Sequence, residues 1–274
     1  MPSATGAGKR AVLIGAGRMG AAMATGWLRD LAAAGLCELD IVEPSPTDEI
    51  RALATEQVHL NAAPLPVDIL VLAVKPQAFG KVAPIAAAWA GPDTLIVSIM
   101  AGVTLARIGD ALKAAKIARA MPNTPGAIGM GVTGYCLSSA CGEAESRTTA
   151  RLLDPLGLVI GPLEESQMDA VTAVSGSGPA YVFLLAEALA AAGRAAGLGD
   201  ATAAALARET VVGAGALLGQ SADAPGDLRK AVTSPGGTTA AALDVLMAPG
   251  GLPELMKRAV AAAAKRGAEL SKEA

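Results

Sequence analysis

Near its amino terminus, the chain has six residues that fit the G-x-G-x-x-G pattern. The glycines of this pattern permit a tight turn, a close approach of the backbone to a pyrophosphate, and close packing of a helix on a strand. Here the pattern directly follows an apolar run and precedes a helical pattern, so the N-terminus of that helix would face the phosphates. The residues that we assign to this dinucleotide site are Gly15, Ala16, Gly17, Arg18, Met19 and Gly20.

An acidic residue, Glu43, ends the second predicted strand. In dinucleotide-binding proteins an acid at this point commonly accepts the ribose 2′-hydroxyl of NAD. The alternative is a solvated loop carboxylate. The following turn can begin a helix, with Ser45 as the N-cap and Asp48 completing a capping box. The same turn could instead hold a 2′-phosphate through Ser45, Thr47 and Arg51, so the residues leave NADH and NADPH open.

Two further segments lie where ligands would bind. The apolar run that starts at Ile69 closes with Ala73, Val74, Lys75 and Pro76, and residues at the carboxyl end of such a strand point into the ligand crevice. Lys75 is either a cation beside the cofactor or an ordinary exposed lysine. Farther along, Gly236 and Gly237 precede a helical run and leave backbone N–H groups uncovered, which would suit a carboxylate. An ordinary capped helix start with a Pro-Gly turn is the alternative there.

Short, continuous apolar runs alternate with helical patterns through the first half of the chain. Continuous runs indicate strands that are buried on both faces, so we predict a doubly wound, mainly parallel α/β sheet of the Rossmann type. The predicted strands are Ala11–Ile14, Asp40–Val42, Ile69–Val74, Leu95–Ile99 and Ile117–Ala120, and the predicted helices between them are Met19–Ala34 and Pro46–Glu56.

After about residue 164 the pattern becomes helical only. We therefore predict a dinucleotide-binding domain over residues 1–163 and an all-α domain over residues 164–274. The segment Ala180–Ala192 is apolar almost all round, which is typical of a helix that is buried on every side. We expect it to be buried between subunits. The predicted helices are Ala180–Ala196, Asp200–Gln220, Thr238–Met247 and Pro253–Leu270.

Composition argues against several classes of partner. The net charge is −3 and aromatic residues make up 2% of the chain, so nucleic acid is an unexpected partner. The longest charge-free stretches contain prolines and glycines, which argues against spanning helices, and residues 1–9 lack the apolar core of a signal peptide. Three cysteines without a C-x-x-C pair, together with a single histidine, indicate free thiols in a reducing cytoplasm and no zinc or other metal site. We interpret that histidine, His59, as structural.

Five segments in one order resemble pyrroline-5-carboxylate reductase, and the resemblance extends from about Arg10 to Met256. Any one of these motifs is common, whereas the ordered set is highly specific. The segments are Gly15–Gly20, Val74–Pro76, Ser98–Val103 with Arg119–Pro125, Val174–Tyr181, and Ser234–Thr239.

The resemblance implies reduction of (S)-1-pyrroline-5-carboxylate to L-proline by NAD(P)H. It also implies a helical dimerisation domain, active sites built from two chains, and assembly of dimers into a larger oligomer such as a decamer. Thr239 would hydrogen-bond the ring nitrogen of the substrate. The backbone around Ser234, Gly236, Gly237 and Thr238 would hold the substrate carboxylate, and the opposite wall of the pocket would be Ser175, Gly176, Ser177 and Gly178.

Glu43 departs from the family pattern, because members that prefer NADPH usually lack an acid there. Met100 also stands where a smaller residue is usual, and we attach no functional weight to it. Two other classes of protein remain as alternatives. A β-hydroxyacid dehydrogenase needs a lysine on a helix of its second domain, and none occurs between Lys116 and Lys230. A non-catalytic dinucleotide-binding regulator is disfavoured by the intact segment Ser234–Thr239.

Overall fold

An eight-stranded sheet forms the framework of the computed structural model, which describes residues 8–273. The strand order is β3-β2-β1-β4-β5-β6-β7-β8, and every neighbouring pair is parallel except β6 and β7. This order confirms the predicted doubly wound, Rossmann-type architecture. The strands are β1 Lys9–Ile14, β2 Leu36–Val42, β3 Val58–Leu60, β4 Val67–Leu72, β5 Ala90–Ser98, β6 Ile117–Pro122, β7 Gly131–Leu137 and β8 Gly157–Leu163.

Helices follow the strands in the first part of the chain and replace them in the second part, as predicted.

The first seven residues, which include most of the segment that we searched for a signal peptide, lie outside the described part. The helices are α1 Arg18–Trp27, α2 Asp48–Arg51, α3 Phe79–Ala87, α4 Leu105–Leu112, α5 Glu143–Leu153, α6 Met168–Val171, α7 Gly178–Ala195, α8 Asp200–Gln220, α9 Pro225–Ala231, α10 Thr238–Leu246 and α11 Leu252–Glu273.

The sheet separates two apolar layers. On one face α1 packs through the fully buried Trp27, whose indole Nε1–H donates to Leu152 O at 2.8 Å. On the other face α3 and α4 pack around Phe79 and Trp89. Strands β1, β4 and β5 send alternate residues into both layers, which explains why their sequences are apolar without interruption.

Two predicted helices are much shorter than expected. Helix α1 ends at Trp27, and the following turn is held by Asp30, whose carboxylate accepts the Ala33 N–H at 2.9 Å. Such a local bond competes with continuation of the helix. Helix α2 covers only Asp48–Arg51, and its N-cap is Thr47, whose hydroxyl accepts the Ile50 N–H. The prediction of Ser45 as the N-cap of a capping box was therefore wrong.

The sequence analysis missed strands β3, β7 and β8. Strand β3 has only three residues, and β7 and β8 contain glycines, which are depleted in strands. Gly134 in β7 has a packing role, because a Cβ there would lie 2.8 Å from Val171 Cγ1 of α6. The absence of a side chain thus lets α6 approach the sheet.

The segment Ser175–Pro179 interrupts the α-helical structure, as we expected, because Ser177 forms a bend and α7 begins at Gly178. Residues Thr172–Gly176 form a π-helical turn that leads from α6 towards α7. Among the described residues, two helical stretches, Glu165–Ala195 and Asp200–Gln220, are long and apolar enough to cross a membrane by length and composition, although little of either is buried within one chain. The core helices of soluble proteins also pass that test.

The described chain divides into two compact units. The first contains residues up to Gly176 together with Ala263–Ala274, and the second is Ser177–Ala262. The boundary that we predict at residues 163 and 164 stays a prediction. In the second unit α7 and α8 pack against each other, yet many of their large apolar side chains are exposed, among them Phe183, Leu184, Val212 and Leu217.

All three cysteines are free, as predicted. Cys136 lies in β7 and is 1% exposed. Burial raises the pKa of its thiol to about 11, so this thiol stays protonated and unreactive at neutral pH.

A charged network crosses β1, β2 and β3. Asp40 is completely buried, and its Oδ2 accepts both Nε–H and Nη2–H of Arg10 at 3.0 and 2.9 Å. Arg10 also lies 3.6 Å from Glu38, which pairs with His59 at 2.8 Å. His59 therefore has a structural partner on the sheet.

The Arg10–Asp40 pair gives a stability prediction. We expect Arg10→Met to lower the free energy of unfolding by about 3 kcal/mol, because it leaves the buried carboxylate of Asp40 without its cation. Urea denaturation would measure the change. The double variant Arg10→Met/Asp40→Leu should recover most of the loss, and Arg51→Met, which breaks the exposed Arg51–Asp48 pair, should change stability little. An Arg10→Met variant as stable as the unmodified protein would contradict this account.

Candidate active site

The glycine turn lies between the carboxyl ends of β1 and β4, as the sequence predicts. Gly15 has φ +94°, and a Cβ there would lie 2.7 Å from both Ala73 O and Val74 Cγ1. A Cβ on Gly20 would clash with Gly15 O. Only glycine permits these two approaches, which hold the turn and the first turn of α1 against the end of β4.

Gly17 differs from the other two glycines because a Cβ on it would meet nothing within 4 Å. It is exposed and is also the N-cap of α1, where no side chain caps the helix. The first N–H groups of α1 are therefore left for an external acceptor at the positive end of the helix dipole. Open space in front of uncapped N–H groups fits the pyrophosphate of a dinucleotide.

Glu43 is held at the carboxyl end of β2 by four hydrogen bonds. Its Oε2 accepts the Ala16 N–H at 2.9 Å, and its Oε1 accepts the Ser45 N–H at 3.1 Å. Asn61 accepts the Glu43 N–H and donates to the Glu43 carbonyl. This carboxylate thus joins the glycine turn to the Ser45 turn, while each of its oxygens retains acceptor capacity.

Ala73, Val74, Lys75 and Pro76 continue from β4 beside the glycine turn. The Ala73 N–H donates to Ile14 O at 2.9 Å, so β1 and β4 remain paired up to the turn. Lys75 is exposed, and Pro76 begins a short 3-10 turn. The structure therefore brings the predicted cofactor residues together along three neighbouring strand ends.

A cavity of about 580 Å³ lies beside Pro76, within the first unit. Ala101 and Gly102 of the loop after β5, Arg107 of α4, and Leu270 of α11 line parts of it. The Arg107 guanidinium lies 5.9 Å above the ring of Phe79. Pro76 and Ala101 follow neighbouring parallel strands, so this cavity opens at the carboxyl edge of the sheet, where α/β proteins bind ligands.

A buried cation supports the wall of this cavity. Arg119 of β6 is 4% exposed, and its Nη1 lies 3.1 Å from Glu165 Oε1. The same oxygen accepts the Leu105 N–H at the start of α4, and Asp169 of the cavity wall lies 4.0 Å from Arg119 Nη2. Arg119 therefore ties α4 and α6 to the centre of the sheet.

The segment Ser234–Thr239 lies in the second unit and forms a tight turn before α10. The Gly237 N–H donates to Ser234 O at 3.1 Å, and Gly236 has φ +69°. Pro235 followed by a glycine with positive φ is typical of a type II turn. Because Gly237 is already bonded, the N–H groups left for a carboxylate are those of the first turn of α10 rather than that of Gly237.

The two threonines at the start of α10 differ in exposure. Thr238 is exposed and Thr239 is half-buried. Gly237 is the N-cap of α10, and no side-chain hydrogen bond caps it. The structure therefore does not support the alternative in which a threonine hydroxyl caps α10.

The residues Ser175–Gly178 run across the junction of the two units. Ser175 Oγ donates to Val132 O at 3.5 Å, and a Cβ on Gly176 would lie 2.6 Å from Met121 Cε. The π-helical turn thus lies against β6 and β7. π-Helical turns of this kind are frequent at functional sites.

The sequence analysis did not single out Asn61 or Asn123 as site residues. Asn61 follows the missed strand β3 and has φ +49°, a conformation in which asparagine is enriched. Asn123 follows β6, and its Oδ1 accepts the Val132 N–H at 2.9 Å, which turns its amide N–H groups the other way. The sequence did contain a signal for both residues, because each is a polar residue that directly follows a strand.

The strand order and the open glycine turn define a dinucleotide-binding protein of the Rossmann type. The chain is 39% identical to pyrroline-5-carboxylate reductase of Pseudomonas aeruginosa, over 96% of this chain and 97% of that protein. It is also 39% identical to the enzyme of that name from Synechocystis, over 82% of each. This chain belongs to the pyrroline-5-carboxylate reductase family, whose members are NAD(P)-dependent oxidoreductases.

Family models and solved structures agree with this assignment. The model of pyrroline-5-carboxylate reductase dimerisation matches residues 165–270, and the model of NADP oxidoreductase, coenzyme F420-dependent, matches residues 10–102. The pyrroline-5-carboxylate reductase structure from Coxiella burnetii has a TM-score of 0.83 at 32% identity and covers 96% of this chain and 99% of its own. The Plasmodium falciparum structure, which has NADP bound, has a TM-score of 0.72 at 27% identity, with coverages of 96% and 98%.

The contacts of Glu43 give a prediction about cofactor choice. A carboxylate repels a 2′-phosphate and accepts a 2′-hydroxyl, so we expect NADH to serve at least as well as NADPH. Glu43→Gln should shift the kcat/KM ratio toward NADPH, because it removes the charge while its amide oxygen can still accept one N–H. Glu43→Ser should shift the ratio in the same direction. Initial rates with both cofactors would measure it.

The control is Glu56→Gln, which makes the same charge change at an exposed residue beyond α2. It should leave the ratio unchanged. If the unmodified protein already favours NADPH more than tenfold, the interpretation of Glu43 is wrong, and Ser45, Thr47 and Arg51 become the candidates for a 2′-phosphate site.

Proposed function

We propose that this protein reduces (S)-1-pyrroline-5-carboxylate to L-proline with NAD(P)H, the last step of proline biosynthesis. The observation that carries the proposal is 39% identity to a pyrroline-5-carboxylate reductase over nearly the full length of both chains. The open glycine turn in front of the uncapped helix α1 supports the same conclusion independently. Oxidation of NAD(P)H in the presence of pyrroline-5-carboxylate tests it directly.

The cofactor, when bound, supplies a hydride to the carbon of the substrate C=N bond. The residues that would hold it are those of the glycine turn, Glu43 and Ser45 at the end of β2, and Ala73–Pro76 after β4. Glycine at position 17 leaves room for the pyrophosphate, and the first turn of α1 offers it N–H donors. In this half of the site, the residues of the chain bind the cofactor and orient it.

We infer that the first turn of α10 holds the substrate carboxylate. The turn Ser234–Gly237 turns the chain sharply into α10, and the N–H groups at Thr238 and Thr239 lie at the positive end of that helix. Ser175–Gly178 would form the opposite wall. A helix N-terminus without a side-chain cap suits an anionic ligand, because its donors have no internal competitor.

Thr239 is our candidate for the residue that contacts the reacting bond. A cyclic imine becomes electrophilic at carbon when its nitrogen is protonated, so a hydroxyl that orients this nitrogen is sufficient. The Thr239 hydroxyl is half-buried and takes no part in capping α10. Placing the imine and excluding water then account for the rest of the rate enhancement.

Self-association follows from the match to a dimerisation family and from the exposed apolar side chains of the helical unit. We propose a homodimer that assembles further, with a decamer as the candidate form. We also propose that the protein acts in the cytoplasm and binds neither membranes nor nucleic acid. The apolar stretches within residues 165–220 lie inside the matched dimerisation segment, which supports burial between subunits over insertion in lipid.

A further prediction concerns this assembly. Helices α7 and α8 expose apolar surface that a single chain leaves in water, so we expect a dimer or a larger multiple at micromolar concentration. Light scattering coupled to size exclusion would measure the mass. An active, well-behaved monomer would contradict both the dimer and an active site built from two chains.

The role of Thr239 can be separated from a structural one. We expect Thr239→Ala to leave the melting temperature unchanged and to lower kcat/KM by an amount equivalent to roughly 1–3 kcal/mol, the value of one hydrogen bond to a developing amine. Thr239→Ser should retain most activity because only the hydroxyl is required, and Thr239→Val should not. Steady-state kinetics and thermal unfolding would be measured together.

Thr238→Ala is the matched control, since it removes an exposed hydroxyl one residue away. Its effect on kcat/KM should be milder. Equal losses at the two positions, or a Val variant that turns over normally, would mean that another group contacts the nitrogen. A stability loss of about 1 kcal/mol with intact kcat would instead indicate a capping role.

A further inference from the structure

Two of the five ordered segments, Ser98–Val103 and Arg119–Pro125, supply none of the cofactor or substrate residues proposed above. They lie on neighbouring strands, because Ser98 of β5 is in register with Arg119 of β6. The chain between Ser98 and the first residue of α4 is a loop of residues 99–104, which we call the β5 loop. The contacts of this loop indicate what the two segments do.

The β5 loop lies on the side of the glycine turn where the nicotinamide half of a dinucleotide would bind. A Rossmann sheet binds a dinucleotide across the switch point, with one mononucleotide over each half of the sheet. Glu43 at the end of β2 is our candidate for the adenosine ribose, and the glycine turn after β1 would receive the pyrophosphate. The nicotinamide half then belongs to β4 and β5, where Ala101 and Gly102 line the cavity beside Pro76.

The start of the β5 loop is held by the two strands beside it. The Ile99 N–H donates to Leu72 O of β4 at 3.0 Å, and the Met100 N–H donates to Ser98 Oγ at 3.2 Å. Met100 is 1% exposed and packs in the apolar layer of α3 and α4. The first two residues of the loop are therefore fixed to the sheet.

The end of the β5 loop is held by an acidic side chain from another element. Glu165 Oε1 accepts the N–H of Leu105, the first residue of α4, at 2.8 Å. The same oxygen lies 3.1 Å from Nη1 of Arg119, which is 4% exposed. A buried cation in β6 thus holds the carboxylate, and the carboxylate holds the end of the loop.

We propose that Glu165 is a positioning residue for hydride transfer. Held by Arg119, it fixes the β5 loop, and the loop in turn supports the nicotinamide ring. Hydride transfer requires the reacting atoms to lie near contact distance, so a small movement of this support is costly. Glu165 acts through the backbone N–H of Leu105. The proposal rests on the function proposed above and assigns a residue to the cofactor half of that site.

A substitution of Leu105 can delete this one hydrogen bond. Proline fits the first position of a helix, and Thr104 before it has ψ 160°, the extended conformation that a residue before proline adopts. Leu105→Pro therefore removes the N–H that Glu165 accepts and leaves the pair of Glu165 with Arg119 in place. Leu105→Ala is the matched control, because it shortens the same side chain and keeps the N–H.

Calorimetric titration of the full-length protein with NADH and with ADP-ribose separates the two halves of the cofactor, because ADP-ribose lacks the nicotinamide ring. Leu105→Pro should weaken NADH binding about three- to tenfold, the value of one hydrogen bond, and leave ADP-ribose binding unchanged. Leu105→Ala should change neither. If NADPH is the better cofactor, NADPH and the 2′-phosphate of ADP-ribose take their places.

Hydrogen exchange of the protein without cofactor measures the loop directly. The amides of Ala101 and Gly102 should exchange faster in Leu105→Pro than in Leu105→Ala, because one end of the loop has lost its acceptor.

Turnover with pyrroline-5-carboxylate gives a further measurement. In Leu105→Pro, kcat should fall about tenfold. The isotope effect on kcat, with a cofactor deuterated at the transferred hydrogen, should rise because hydride transfer then limits the rate. Glu165→Ala removes the same bond, so the double variant Glu165→Ala/Leu105→Pro should lose no more activity than Glu165→Ala alone.

Normal NADH binding together with a normal isotope effect in Leu105→Pro would overturn the proposal. Equal weakening of NADH and ADP-ribose would also overturn it, because the bond would then serve the general stability of the fold. If the unmodified protein does not reduce pyrroline-5-carboxylate, the proposed function fails, whereas the comparison of NADH with ADP-ribose still decides whether Glu165 positions the nicotinamide half.

Discussion

The close approach of two strand ends is the constraint on which the cofactor half of the structure depends. Gly15 and Gly20 let the first turn of α1 rest against Ala73, and a methyl group at either position would push these elements apart. The consequence is that α1 starts directly after the glycine turn and presents its N-terminus at the switch between β1 and β4. Glu43 then fixes the turn from the β2 side through the Ala16 N–H.

Buried charge stabilises the same sheet at two separate places. Arg10 neutralises Asp40 near the β3 edge, and Arg119 draws Glu165 to the centre of β6. In each case one partner is almost fully buried, so removal of its counter-charge would leave an uncompensated buried charge. The Arg119 pair has the wider effect, because Glu165 also bonds the first turn of α4 and so fixes the loop that follows β5.

The fold class and the cofactor motifs could be predicted from the sequence because they depend on local patterns. Continuous apolar runs identified β1, β2, β4, β5 and β6, and glycine spacing identified the turn before α1. Strands β7 and β8 could not be predicted, since Gly131, Gly134 and Gly157 serve close packing that only the tertiary structure reveals. The hydrogen bond from the Ala16 N–H to Glu43 joins residues 27 positions apart, and no pattern in the sequence encodes it.

The predicted lengths of two helices were wrong for a related reason. The helix predicted from residue 19 ends before the turn in which Asp30 accepts the Ala33 N–H, and the helix predicted from residue 46 begins only after its N-cap, Thr47. Four helices of the second unit, among them Asp200–Gln220, were predicted to within about three residues because their small apolar residues favour helix throughout, whereas the short helix α9 was missed. The packing partners of those helices could not be read from the sequence. Their lack of a polar face indicated only that they are buried against something.

The path of the chain has a consequence for its synthesis. The second unit is inserted between Gly176 and Ala263, so the first unit is completed by residues that are made after the second unit. Gly267 and Leu270 of α11 line the cavity beside Pro76, and a Cβ on Gly102 would lie 3.8 Å from Ser271 Oγ. A nascent chain therefore has the glycine turn and the sheet in place while one wall of the cavity is still inside the ribosome. The cavity can close only after α11 has emerged and returned to the sheet, which delays its completion until the helical unit has been made.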